Sequence, residues 1–147
     1  MTLVKSKEQL IHIPLYYVEK DIRGYSKAIV INDETAEKMK ADEKLKERLN
    51  VLNTYWSVLN WQENNAITKA STTKNEETTY GKEVDQLRLQ DLKIKTCLKK
   101  WDLKDEDGKD LPVTPENINR LESDIIYALI YKYSVETQLV DDEIKNL

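Results

Sequence analysis

Chain breakers are scarce in this 147-residue sequence: three glycines and three prolines, with no phenylalanine at all. Such a composition favours long helices. The one cysteine, Cys97, excludes an internal disulfide, and with a single histidine, His12, no Cys/His zinc cluster can be built. One histidine also removes most acid–base chemistry near neutral pH. No run of eighteen apolar residues occurs, so no membrane-spanning helix is expected. The opening MTLVKSKEQL lacks the apolar core of a signal peptide, so export is not expected. With 23 basic against 27 acidic residues the net charge is −4, which offers no broad footing for nucleic acid. These absences together lead to an expectation of a cytoplasmic protein without cofactor, metal or obvious active site.

What is present is aromatic mass with polar handles, eight tyrosines and three tryptophans. Such side chains suit a small core with wet edges, or a binding face. The first 32 residues differ in pattern from the rest. Ile11, Ile13, Leu15 and Tyr17 alternate, and Ala28 to Ile31 form a second apolar run. Two strands joined at Arg23-Gly24 are predicted, a hairpin appendage over residues 1–32. Pro14 suits an edge strand, since proline supplies no ladder donor.

Helices are predicted for most of the remainder. Residues 33 to 52 read as a charged helix capped by Asp33, with Ala36, Met39, Leu45, Leu49 and Leu52 on one stripe. After an extended entry at Tyr55 to Leu59, Asn60 and Glu63 form a capping-box pattern for the next helix, with Leu59, Ala66, Ile67 and Ala70 on one face. Ser71 to Thr79 reads as a polar connector. A helix from about Gly81 to Trp101 carries Tyr80, Val84, Leu87, Ile94, Leu98 and Trp101 on one stripe, which Asp91 interrupts. Lys104 to Asp110 makes a turn at Gly108. Thr114 and Pro115 then open a final helix, with Ile118, Leu121, Ile125, Leu129 and Tyr133 inward and Ile126, Ile130 and Val135 widening the stripe. Such breadth predicts a helix buried between neighbours. The resulting fold class is mainly α, about four helices with a small N-terminal β-hairpin. The helical domain spans 33–139 and a frayed acidic tail 140–147.

Chemistry-bearing motifs are weak. Asp105, Asp107, Gly108 and Asp110 invite a calcium-loop reading, but with Gly108 sixth the first position is Leu103 and the twelfth Thr114. Gly81-Lys82 lacks the preceding glycines of a phosphate loop. Asp91, grouped with Arg88 and Lys95 and set on an apolar seam, needs a cation, which Arg88, or Arg120 on the next helix, could supply as a structural ion pair. Among the aromatics, Tyr55, Trp56 and Trp61 are candidate partner-binding residues. Either the tryptophans finish the core, or Trp56 or Trp61 is a hydrophobic anchor. In the second case, replacing both by alanine weakens binding and leaves the fold standing.

Several segments resemble a known group. Trp61-Gln62-Glu63-Asn64-Asn65-Ala66-Ile67 is followed by Asp85 through Trp101-Asp102-Leu103. Asp107-Gly108-Lys109-Asp110-Leu111-Pro112-Val113-Thr114-Pro115-Glu116-Asn117-Ile118 and Leu121 complete the run. Over residues 55–135 this resembles the tail assembly chaperones of tailed bacteriophages. The resemblance implies a helical, non-enzymatic factor in the bacterial host cytoplasm that binds tail proteins, either the tape measure or the tail tube, and carries no catalytic residues. Two alternatives stand beside it. One is a structural virion part of the tail, baseplate or connector, forming homo-oligomers, with the hairpin adding to a neighbour's sheet. The other is a small enzyme or regulator with a carboxylate-lined pocket around Asp91.

Overall fold

A computed structural model describes residues 9–74, 77 and 81–138. The predicted acidic tail at 140–147 and the predicted stripe residue Tyr80 lie outside the described residues. With 42% helix and 30% strand, the chain is mixed α and β, which corrects the mainly α expectation. Strands β1 (Ile11–Ile22), β2 (Tyr25–Ile31), β3 (Asn50–Trp56) and β6 (Leu98–Trp101) form an antiparallel sheet in the order β2-β1-β3-β6. β4 (Thr72–Lys74) and β5 (Lys82–Val84) make a separate two-stranded ribbon. The helices are α1 (Asp33–Lys40), α2 (Trp61–Ala70), α3 (Gln86–Cys97), α4 (Pro115–Asn119) and α5 (Ser123–Thr137).

The predicted hairpin forms, with Arg23 (φ 51°) and Gly24 (φ 85°) both in the left-handed region that a tight two-residue turn requires. It is half of the sheet. β1 pairs with β2 over Tyr16–Ile22 and with β3 over Ile11–Tyr17, so β1 is an inner strand. A two-residue turn makes Ile22 and Tyr25 exchange both backbone bonds, and the pattern then alternates. Even-numbered residues of β1 therefore point their backbone groups toward β2. Pro14 is one of them, and β2 ends at the level of Tyr16. The missing proline N–H thus falls where no neighbouring strand needs it. The Pro14 carbonyl on that side accepts from Lys132 Nζ at 2.6 Å, and Lys132 also holds Asp33 at 2.6 Å.

Side chains alternate across the sheet. Ile13 and Leu15 of β1 share one face with Leu52 and Trp56 of β3 and join Ile94, Cys97, Leu98, Ile118, Ile125, Leu129 and Tyr133 in the core. Helices α3, α4 and α5 thus cover one sheet face, a two-layer arrangement. At the other face, Lys40 of α1 donates to the Tyr16 hydroxyl at 2.9 Å and lies 4.4 Å above its ring.

Three long helices of the sequence reading are shorter or broken. The 33–52 helix stops at Lys40, with Asn32 rather than Asp33 as its cap. A 3-10 turn at Lys46–Arg48 then leads into β3, so Leu52 belongs to a strand and Leu45 is exposed. The 81–101 helix starts at Gln86 and turns directly into β6 at Leu98, without glycine or proline. Part of the predicted connector, Thr72–Lys74, is strand β4. The last helix divides at Arg120 into α4 and α5. Thr114 caps α4, its side chain accepting from Asn117 N at 3.1 Å, with Pro115 in the first turn.

Candidate functional site

The residues proposed from sequence to bind a partner do not gather in one place. Trp56 is completely buried at the end of β3. Its ring stacks on Tyr133 at 4.7 Å, and its indole N–H donates to Thr54 Oγ1 at 2.7 Å. Thr54, also buried, donates in turn to the Ile13 carbonyl at 2.6 Å. Trp56 is therefore a core residue and not a surface anchor. Tyr55 points to the opposite sheet face, stacked on His12 at 4.9 Å. His12 Nε2 donates to Asn53 Oδ1 at 2.7 Å, and Asn53 Nδ2 donates to Asp102 at 2.8 Å. That chain of polar bonds ties β1, β3 and the segment after β6 together.

Trp61 is the exposed tryptophan, 78% accessible, at the first position of α2. The predicted capping box is present there. Asn60 Oδ1 accepts from Glu63 N at 2.8 Å, and Glu63 Oε1 accepts from Asn60 N at 3.2 Å. Of the predicted face, Ile67 is buried while Ala66 and Ala70 are exposed. Trp101 is half-buried and donates to the Leu111 carbonyl at 2.6 Å, which holds the predicted extended segment against β6.

Asp91 pairs with Lys95 at 2.9 Å, one helical turn on, and not with Arg88 or Arg120. Arg120 instead reaches Asn117 Oδ1 at 3.5 Å. Asp91 borders a groove of about 220 Å3 between α3 and the α4–α5 segment, with Leu87, Ile94, Ile126, Tyr127 and Ile130. Gln90, Asn119 and Ser123 line the groove beside these apolar residues, and Asp91, already paired, is its single carboxylate. Its rims are large exposed side chains, Leu87 at 70% and Tyr127 at 56%.

α5 is exposed along one side, which corrects the expectation of a helix buried between neighbours. Tyr127, Tyr131 and Val135 recur every fourth residue and are all exposed. Of these three, the expected stripe contains Val135 alone, so the exposed row of Tyr127 and Tyr131 beside it is the feature that its breadth conceals. On the far side of this ridge a second groove of about 410 Å3 runs between α5 and the β1–β2 strands, lined by Leu15, Val30, Ile31, Ala128, Tyr131 and Val135.

Asp105 orders the predicted turn, accepting from Asp107 N at 2.8 Å and Lys109 N at 2.9 Å. Lys104 pairs with Asp110 across it. Among the described residues, no three His, Cys, Asp or Glu side chains gather as a metal site. Nor is any helix among them long and apolar enough to cross a membrane.

Two buried ionisable groups sit at the base of the helical layer. Burial, and then the hydrogen bond with Cys97, raise the Tyr133 phenol. Burial raises the Cys97 thiol. Both groups stay neutral in the fold while the unfolded chain ionises above their ordinary values of 9.0 and 10.0. Above those values the native state binds more protons than the unfolded state, so stability falls as pH rises. This contribution is fully present below pH 9.0 and is lost progressively beyond it. Urea midpoints measured at mildly and strongly alkaline pH should decrease, and Cys97→Ala should flatten the first part of the decline.

Comparison of the chain with family models, with curated proteins and with solved structures finds no match.

Proposed function

We propose that this chain is a non-enzymatic protein-binding factor of bacteriophage tail assembly, similar to tail assembly chaperones. The observation that carries the binding role is the groove between α3 and α5, where Ile94, Ile126 and Ile130 lie between exposed Leu87 and Tyr127. An amphipathic helix lays its apolar face into such a groove. A tape-measure or tail-tube segment with an apolar helical stripe is the proposed guest. Asp91 is paired with Lys95, so the groove presents no free carboxylate for acid–base work. The tail-assembly setting, in the cytoplasm of a bacterial host, comes from the resemblance of residues 55–135. Trp61, exposed at the start of α2, offers a further anchor away from the groove's lining.

Mass spectrometry of purified particles against the lysate of producing cells tests the setting. Abundance in lysate with absence from particles supports the assembly factor. Detection in neither, with no tape-measure or tail-tube protein retained by the chain, overturns it. Leu87→Asp with Tyr127→Ala should weaken capture of the tail protein by at least about tenfold. Circular dichroism should be unchanged, because both side chains already face water. A second reading, a structural component of the tail, baseplate or connector, is favoured by one observation. β2 is an outer strand of the sheet. Stoichiometric presence in particles would select it.

A further inference from the structure

The two walls of the α3–α5 groove repeat one spacing. α3 contributes Leu87, Gln90, Asp91 and Ile94, and α5 contributes Ser123, Ile126, Tyr127 and Ile130. Each set follows the positions i, i+3, i+4 and i+7, the stripe through which one helix packs on another. Cys97, the last residue of α3, meets Tyr133 of α5. Both stripes end three residues before that contact, at Ile94 and Ile130, so they run side by side and in step. Seven residues of helix rise about 10 Å, or about two turns. Two such stripes along one open seam make an unfinished three-helix packing, with Leu87 and Tyr127 exposed where the third member would lie.

The polar part of the lining narrows the guest. Asp91, its single carboxylate, is held by Lys95 at 2.9 Å. The neighbouring Glu122 and Asp124 are engaged by Tyr25 and Lys27 of β2. Gln90 stands on the α3 wall, and Asn119 and Ser123 stand on the opposite one. Among the described residues, no hydrogen bond or ion pair engages these three side chains. Each of their amides and hydroxyls can both donate and accept. The lining therefore offers hydrogen bonds from two walls and no free charge.

Building on the reading of this groove as a helix site, we propose that its guest is a helix whose contact stripe is uncharged. Apolar residues of the guest meet Ile94, Ile126 and Ile130. A glutamine, asparagine, serine or threonine between them bonds to Gln90 on one side and to Asn119 or Ser123 on the other. A lysine, arginine, aspartate or glutamate at that position loses water and meets only Asp91, whose charge Lys95 already balances. The groove thus selects its guest by absence of charge, and salt has little to screen.

Fluorescence anisotropy of labelled helical peptides titrated with the full chain tests this. Three peptides share one leucine stripe and differ at a single central stripe position, which is glutamine, lysine or glutamate. The glutamine peptide should bind, and each charged one should bind at least about tenfold more weakly. Raising salt from about 0.05 to about 0.5 M should change the glutamine peptide's affinity by no more than about twofold. Gln90→Glu keeps the side-chain shape and supplies an unpaired carboxylate. It should strengthen the lysine peptide at least about fivefold and leave the glutamate peptide weak. Equal binding of all three peptides to the unmodified chain overturns the uncharged stripe and leaves the helix site standing. No binding by any of them overturns the helix site and this inference together. So does glutamine-peptide binding that survives Leu87→Asp, since the peptide then lies elsewhere. A chain that self-associates and loses this association as the peptide binds would make a second copy the occupant, which also overturns it.

Discussion

Trp56→Ala should cost about 3–5 kcal/mol. That is a large share of the about 5–15 kcal/mol that holds a typical domain together. The indole is completely buried, stacked on Tyr133, and bonded to Thr54. Its removal opens a void that β3 and α5 cannot both close, because each is fixed elsewhere by its own ladder or helix bonds. Urea unfolding followed by far-ultraviolet circular dichroism gives the loss directly. Trp61→Ala should change the same midpoint by no more than about 0.5 kcal/mol, since its ring is already in water. The double exchange suggested by the sequence is therefore a poor test of binding: Trp56 would dominate it by unfolding the core. Trp61→Ala alone keeps the fold and isolates the anchor.

Thr54→Val should destabilise by about 1–3 kcal/mol, although it conserves shape. The Thr54 hydroxyl both donates to the Ile13 carbonyl and accepts from the Trp56 indole. Valine leaves the indole N–H buried without an acceptor, in a region where water does not replace it. Thr54→Ser keeps the hydroxyl and drops one methyl, so its cost should be nearer about 1 kcal/mol. Two readings separate the cases. Urea midpoints rank valine below serine, and exchange of the Trp56 indole proton accelerates in the valine variant alone. If serine proved as costly as valine, packing and not the hydrogen bond would be the reason.

Thr54 also explains why β3 was hidden in the sequence. The inward residues of β3 are Leu52, Thr54 and Trp56, and the middle one is polar, so the apolar alternation fails where it matters. The preceding lysine- and glutamate-rich stretch has good helix formers, and Leu45, Leu49 and Leu52 imitate a helical stripe. Asn50, Asn53 and Tyr55 were the available counter-signals. β6 was hidden differently: Leu98 and Trp101 are three apart, which satisfies a helix as well as the two ends of a short strand. Where local chemistry decides the backbone, the reading was direct. Arg23-Gly24, Asn60 with Glu63, Thr114 with Pro115, and Gly108 all do in the structure what their types require. The grooves were not legible, because each is formed by elements distant in sequence. The Asp91 ion pair is the opposite case: Lys95 lies four residues on along the same helix, so that partner was local, while the open rim on which the pair sits was not.

The position of β1 inside the sheet has a consequence for synthesis. Its strand partner β3 and its covering helix α5 come later in the chain, and the Pro14 carbonyl waits for Lys132, 118 residues on. Once Trp56 has left the ribosome, the sheet face carrying Ile13, Leu15, Leu52 and Trp56 is covered first by α3, and its cover is complete only when α5 follows. At about 5–20 residues per second, that interval lasts about 4–16 s. Hairpins form in about 1–10 µs, so the β1–β2 pairing equilibrates long before α5 arrives. The nascent chain therefore carries an apolar sheet face that is only partly covered through that interval, and its final helix closes the fold.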